Sequence, residues 1–277
     1  MSENACGNCA QRGACDSTPE ACGVSKGPKR SIGRIVAIGS GKGGVGKSSV
    51  SALMAVALAR KGLKVGILDA DITGPSIPKL MGISSMPMGS PLGIIPPKSP
   101  TLGISVMSIN LLLEDATKPV IWRGPIIANT IKQFYEEVLW GDLDALLIDL
   151  PPGTSDAPLT VMQSIPLDGM VVVTSPQELA NMVVEKAMHM ATMMNTEILG
   201  LVENMAYAIC PHCGQRWDVF GPSSLDQLAS KWSVERVATL PMDTSISKLG
   251  DMGRIEEYHN LELLDPIIQA FIGPQET

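Results

Sequence analysis

From residue 34 onward the chain alternates between two kinds of apolar pattern. Short uninterrupted runs rich in Val, Ile and Leu occur at 34–40 (RIVAIGS), 64–71 (KVGILDAD), 143–152 (LDALLIDLPP), 168–176 (DGMVVVTSP), 196–205 (TEILGLVENM) and 234–243 (VERVATLPMD). They lack the every-second-residue alternation of a strand with one wet face, so they predict strands covered on both faces. Between them, apolar residues recur three and four apart at 50–62, 125–141, 177–195, 223–232 and 261–272, which predicts helices. Gly62 stands where a helix C-cap belongs, and Pro125 where a first turn begins. Residues 104–113 and 119–124 read as extended, and the Pro/Gly-rich stretch within 84–103 as an insertion or mobile loop. Strands alternating with helices predict an α/β fold, a mostly parallel twisted sheet with helices on both faces. Residues 1–31 are polar, have no period and read as a flexible arm, which leaves 32–277 as one folded domain.

Composition narrows the function classes. The 277 residues are 45% apolar and carry a net charge of −7, which disfavours a protein that coats nucleic acid. No apolar run approaches a membrane span, and the first residues lack the basic and apolar regions of an export signal, so a cytoplasmic protein without a membrane partner is expected.

One motif carries explicit chemistry. Gly41-Lys42-Gly43-Gly44-Val45-Gly46-Lys47-Ser48 fits G-x-x-x-x-G-K-[ST] and lies between a predicted strand and a predicted helix, with Ser49 next in line. Its glycines let backbone N–H groups curl around phosphate oxygens, and the helix N-terminus adds partial positive charge. Lys47 is placed to reach the β- and γ-phosphates of ATP or ADP, and the Ser48 hydroxyl to ligate Mg²⁺. Asp149 closes a buried strand in LLIDLPPG, where a carboxylate can hold Mg²⁺ through water. These features make the expected fold a P-loop NTPase.

The second lysine, Lys42, marks the deviant Walker A subclass. Within it, DADITGPSIPKLMG (69–82), PVIWRGP (119–125), LLIDLPPGTSD (146–156), GLVENMA (200–206) and Cys210-Pro-His-Cys213 resemble the Mrp/ApbC family of iron–sulfur cluster carriers, over about residues 32–272. The resemblance implies an ATP-binding carrier with slow hydrolysis that delivers a [4Fe–4S] cluster to apo-proteins, working as a homodimer with client proteins and a cluster-assembly scaffold as partners. It implies that Lys42 crosses the dimer to the partner's nucleotide, that Asp69 lies near Ser48 and the Mg²⁺ shell, and that Asp71 orients the attacking water. Asp71 could instead cap the short helix expected within 73–82. By resemblance alone, Asn204 bonds the adenine edge and Pro241, Met242 and Asp243 flank the base. Asn204 could instead be a turn residue at a strand end.

The six cysteines form two groups, Cys6, Cys9, Cys15 and Cys22 near the start and the Cys210/Cys213 pair. Their spacing and the missing export signal favour metal or cluster ligation over disulfides. A tetrahedral thiolate site wants four ligands. The family implies that the Cys210/Cys213 pairs of two subunits meet at a two-fold axis and bridge one [4Fe–4S] cluster. Zinc is the alternative occupant. The first group resembles part of an N-terminal cluster motif but lacks room for its upstream cysteine, leaving a second cluster, a loading arm or a zinc knot as readings. His212 reads as an exposed loop residue, and the methionines 182–194 as adaptable core or as a flexible dimer or client face. A positioning ATPase of the MinD or ParA type, and an electron donor like nitrogenase iron protein, are rival readings that leave an adjacent cysteine pair unexplained.

Overall fold

The computed structural model describes residues 31–71, 74, 76–113, 124–154 and 156–272. The four N-terminal cysteines and nearly all of the stretch read as extended at 119–124 lie outside the described residues. The strands are β1 (Ser31–Ser40), β2 (Val65–Asp69), β3 (Met88–Ser90), β4 (Gly93–Ile95), β5 (Ser105–Ser108), β6 (Asp142–Asp149), β7 (Gly169–Thr174), β8 (Ile198–Ile209), β9 (Arg216–Trp217) and β10 (Val237–Pro241). The helices are α1 (Lys47–Arg60), α2 (Ile77–Leu80), α3 (Gly124–Glu137), α4 (Asp156–Ser164), α5 (Glu178–Met193), α6 (Leu225–Trp232), α7 (Thr244–Asp251) and α8 (Asp265–Ile272).

The main sheet runs β10-β8-β7-β1-β6-β2-β5, and every neighbouring pair along it is parallel. Side chains alternate between two buried cores. Val36 and Ile38 of β1 pack with α1, α2 and α8, while Ile35 and Ala37 pack with α3, α4, α5 and α6. Because both faces are covered, the strands carry no polar alternation, which is why they read as continuous apolar runs. The sheet register then fixes the chemistry. Ile38 pairs with Asp149, and Asp69 pairs with Asp149, so two carboxylates end up side by side at the C-terminal ends of the strands, beside the loop that leaves β1. Ligands of open parallel sheets bind at that end.

Several elements differ from the pattern-based expectation. β1 starts at Ser31, so that residue belongs to the sheet rather than the arm. α1 starts at Lys47, three residues before its apolar period, because Lys47, Ser48 and Ser49 form a first turn committed to polar work. Part of the 84–103 loop is an antiparallel β3–β4 hairpin. Within 104–113, β5 gives way to a 3-10 turn at Ile109–Leu112. α3 stops at Glu137; beyond it Trp140 is buried, and its indole N–H donates to the Phe134 carbonyl at 3.2 Å. The last helix divides into a 3-10 turn, Glu262–Leu264, and α8, with Pro266 in the first turn of α8 where its missing N–H is harmless. Met188 and Met190 are core, whereas Met182 and Met193 are exposed.

Candidate functional site

The loop from Gly41 to Gly46 closes into α1 through two residues with special backbone demands. Gly46, the N-cap, has φ 79°, and a Cβ there would meet the Asn204 amide nitrogen at 2.2 Å. A Cβ on Gly41 would meet the Val183 carbonyl oxygen of α5 at 2.3 Å. The loop is thus wedged between β8 and α5. Val45 turns its side chain into the core, and its carbonyl accepts the Asn204 amide N–H at 2.9 Å.

Asp149 is the hub beneath this loop. It is fully buried and takes the Lys47 ammonium at 2.8 Å. The Ser48 hydroxyl donates to the same oxygen, Oδ2, at 2.6 Å, and the Ser51 hydroxyl donates to Oδ1 at 2.6 Å. Burying a carboxylate is tolerable only with partners of this kind. Ser51 escaped the sequence reading; its signal was its position one helical turn beyond Lys47 on α1.

Asp69 lies one strand over. It accepts the backbone N–H groups of Asp71 at 3.2 Å and Ile77 at 3.3 Å, and the Ser108 hydroxyl at 3.3 Å. Burial, and next the Asp149 charge, push its carboxyl well above the usual carboxylate range against the pull of Lys47. Asp69, not Asp71, therefore meets the first N–H of α2. Asp71 Oδ1 accepts the Gly74 N–H at 3.2 Å, closing the turn after β2. A cleft of about 240 Å³ opens above these groups, and its walls include Lys42, Lys47, Ser48, Ser49 and Asp71. Lys42 also donates to the Gln177 side-chain oxygen at 2.6 Å, a partner that no local motif announces.

β8 links this cleft to the cysteine pair. Between Glu203 and Tyr207 its register against β10 shifts, and Met205 sits at φ 56°, a left-handed conformation unusual for a residue with a side chain. The bulge turns Asn204 toward the phosphate loop and lets the strand continue to Ile209. There it folds back on β9, with Ala208 opposite Trp217 and Ile209 opposite Arg216. Cys210 and Cys213 lie in the connecting turn, where the Gly214 N–H bonds the Cys210 carbonyl and the Cys210 N–H bonds the Gln215 carbonyl, both at 2.9 Å. The backbone N–H groups of Cys213 and His212, and then the Cys213 thiol, lower the Cys210 thiol from its ordinary range, so the turn favours the thiolate that a metal needs. Cys213 and His212 are exposed, and Cys210 is half-buried. Among the described residues no group of three or more His, Cys, Asp or Glu side chains is arranged to hold a metal; the turn brings two thiols together, and a tetrahedral thiolate site takes four.

The expected base-flanking residues lie where β10 ends. Met242 N–H donates to the Tyr207 carbonyl at 2.6 Å, which ties this segment to β8. Asp243 N-caps α7, accepting the Ser245 N–H at 2.8 Å and the Tyr258 hydroxyl at 3.1 Å. None of Pro241, Met242 and Asp243 lines the phosphate cleft.

Residues 31–271 match the family model described as ParA: NUBPL iron-transfer P-loop NTPase. An iron-sulfur cluster carrier protein of Methanocaldococcus jannaschii is 43% identical over 254 residues, which cover 90% of this chain and 87% of that protein. One of the same description from Clostridium perfringens is 40% identical over 268 residues, covering 91% and 94%. Among solved structures, a nucleotide-binding protein of Archaeoglobus fulgidus in complex with ADP, with cobalt found in it, is 51% identical with a TM-score of 0.75, covering 82% of this chain and 89% of that one. The MinD cell division protein of Aquifex aeolicus, 17% identical with a TM-score of 0.61 over 88% of this chain and 99% of that one, shares the fold. Among the described residues no helix is long and apolar enough to cross a membrane.

Proposed function

The chain belongs to the ParA family of NUBPL iron-transfer P-loop NTPases, and from that premise we propose that it binds and hydrolyses ATP as a homodimer and carries a [4Fe–4S] cluster to apo-proteins. The observation that carries this reading is the Cys210/Cys213 turn, two thiols at the end of the same strand whose Asn204 grips the phosphate loop. Two copies supply the four thiolates that such a cluster requires. The cluster is cargo, and an exposed turn suits its release.

The chain's own groups divide the nucleotide work. Loop N–H groups cradle the phosphates, and Lys47, which pairs with Asp149, turns toward them. Ser48 and Asp149, already 2.6 Å apart, would hold Mg²⁺, with Asp69 behind them. Bound there, Mg²⁺ supplies charge neutralisation of the phosphates. Asp71, on the cleft wall, orients water for attack on the γ-phosphorus; the bond to the β–γ bridging oxygen breaks, leaving ADP and phosphate. Lys42 leaves Gln177 and reaches the partner subunit's nucleotide, stabilising the transferring phosphoryl group. Asn204 and β8 relay the state of the loop to the cysteine turn. The five residues between Asn204 and Cys210, the first of them the left-handed Met205, put the turn at most about 20 Å from Asn204. Nucleotide alters cluster binding only insofar as it binds two dimer geometries unequally.

Client apo-proteins and a cluster-assembly scaffold are the partners, and the cytoplasm the compartment, that this reading implies. A transfer assay tests it. Cluster-loaded protein is mixed anaerobically with an apo-dehydratase that needs a [4Fe–4S] cluster, and recovered dehydratase activity is followed with and without MgATP. Recovery by wild type, absent with Cys210→Ala/Cys213→Ala and nucleotide-insensitive with Lys47→Ala, is expected. No recovery from a loaded wild-type protein would overturn the carrier role. Stable zinc in the turn, with no cluster formed, would replace it with a structural metal.

A further inference from the structure

At the end of the sheet away from the phosphate loop, where the strands begin, a cavity of about 620 Å³ opens between the sheet and α8. Its place follows from strand parity. Arg34 stands two residues before Val36 on β1, and Arg236 two before Ala238 on β10, so both side chains leave the sheet on the face that α1 and α8 cover. Leu199 and Ile268, buried in that same core, form an apolar wall that half-buried Ile272 extends. Glu197 and the ion pair Lys61–Asp265, at 2.9 Å, complete the rim. The whole length of α1, 14 residues or about 21 Å, separates this cavity from the phosphate loop.

The lining selects its ligand. Lys61 and Asp265 neutralise each other, which leaves two guanidiniums against one carboxylate. Arg34 donates to the Ala270 carbonyl, a neutral acceptor. Arg236 is half-buried, and among the described residues its side chain has no hydrogen-bond or ion-pair partner; nor has that of Glu197. Taking a charge part of the way out of water without a counter-ion is costly, so an anion here is favoured. A guanidinium presents its donors in a planar fork that matches a carboxylate or a phosphate. The volume is that of a small-molecule site and far exceeds a bare inorganic anion, and the apolar wall suits carbon. We propose that this cavity is a second ligand site, one that takes a small organic oxyanion: Arg236 and Arg34 hold the carboxylate or phosphate group, and Leu199, Ile268 and Ile272 cover a short aliphatic body. The proposal stands apart from the cluster and nucleotide readings, since it uses none of their residues.

Ligand-observed saturation-transfer NMR tests it on the full chain saturated with MgADP, so that the phosphate loop cannot take the probe. Hexanoate and hexyl phosphate are the probes, and the tighter of the two identifies the anion; hexanol and inorganic phosphate each lack one half of the expected ligand. At least one of the first two should bind, and more tightly than either of the last two. Arg236→Ala should weaken that binding about 10-fold or more, the scale of hydrogen bonds to a charged group, and Glu197→Gln should tighten it. Lys231→Ala, which removes an exposed cation on α6 at the other face of the sheet, should change nothing. Unchanged thermal unfolding and MgADP affinity establish that each variant is folded. Absence of binding by both hexyl probes at millimolar concentration, equal binding of hexanol, or full affinity in Arg236→Ala would overturn the proposal. So would binding that appears only in a chain cut after Ile272, which would give the cavity to residues 273–277.

Discussion

Replacing Ser51 with alanine tests the Asp149 hub. The Ser51 hydroxyl lies 2.6 Å from Asp149 Oδ1 and 3.1 Å from the Lys47 carbonyl, and its single proton goes to the nearer, charged acceptor. Ser51 and Asp149 are both fully buried, so no solvent replaces the lost donor. Losing a hydrogen bond to a charged group costs about 1.5–3 kcal/mol, and alanine's better helix propensity returns up to about 0.5 kcal/mol. The net loss of about 1–2.5 kcal/mol corresponds to a fall in Tm of about 3–8 °C for a domain of this size. Ser48→Ala removes a donor at the same 2.6 Å distance, but Ser48 is only half-buried and water can substitute, so its Tm falls less. Nucleotide reverses the ranking. Saturating MgATP, at about 100 times Kd, adds about 2.7 kcal/mol to a protein that binds it, and Ser51→Ala should keep most of this gain while Ser48→Ala loses it. Thermal unfolding with and without MgATP reads both orders. A Tm for Ser51→Ala within about 1 °C of wild type would refute the buried-hub reasoning.

Gln177→Ala should free Lys42 and raise dimer-dependent ATP turnover by roughly 2- to 10-fold, the scale of one ordinary hydrogen bond, whereas Gln177→Glu should depress it; turnover against protein concentration measures both. Met205→Val, forcing a β-branched side chain into φ 56°, should cost about 1–2 kcal/mol by denaturant unfolding, and Met205→Gly should not. Partial burial alone would raise the Asp243 carboxyl, but hydrogen bonds from Ser245 and Tyr258 outweigh it and hold the group below its usual range. Its contribution to stability is therefore complete above the unfolded Asp pKa of about 3.9 and fades as pH falls through the lowered native value, so the stability gap between wild type and Asp243→Asn should close in acid.

How much was readable from residues alone follows from how local each feature is. The phosphate loop, the buried strands and the parallel sheet were legible because a contiguous motif and continuous apolar runs encode them. Asp149 was legible for the same reason, standing at the end of one such run. Its third partner Ser51, the Asn204 bond to Val45 and the Lys42 bond to Gln177 join residues 98 to 159 positions apart, and no window of sequence contains both ends. α4 and α7 show no clear apolar period: α4 follows directly on a Pro/Gly-rich stretch, and α7 presents few apolar residues. β8 was expected to end at residue 205. It continues to Ile209 because the left-handed Met205 restarts the strand out of phase, and such a bulge erases the periodicity that would announce it. The competing cap role for Asp71 resolved into two carboxylates, with Asp69 meeting α2 and Asp71 closing the preceding turn.

We propose that two chains share one cluster through Cys210 and Cys213. Native mass spectrometry of anaerobically reconstituted protein reads chain number and cluster content in a single spectrum. A dimer carrying one additional [4Fe–4S] mass is expected for wild type, and an iron-free species for Cys210→Ala/Cys213→Ala. A cluster on the monomer, or one that survives in the double variant, would contradict it.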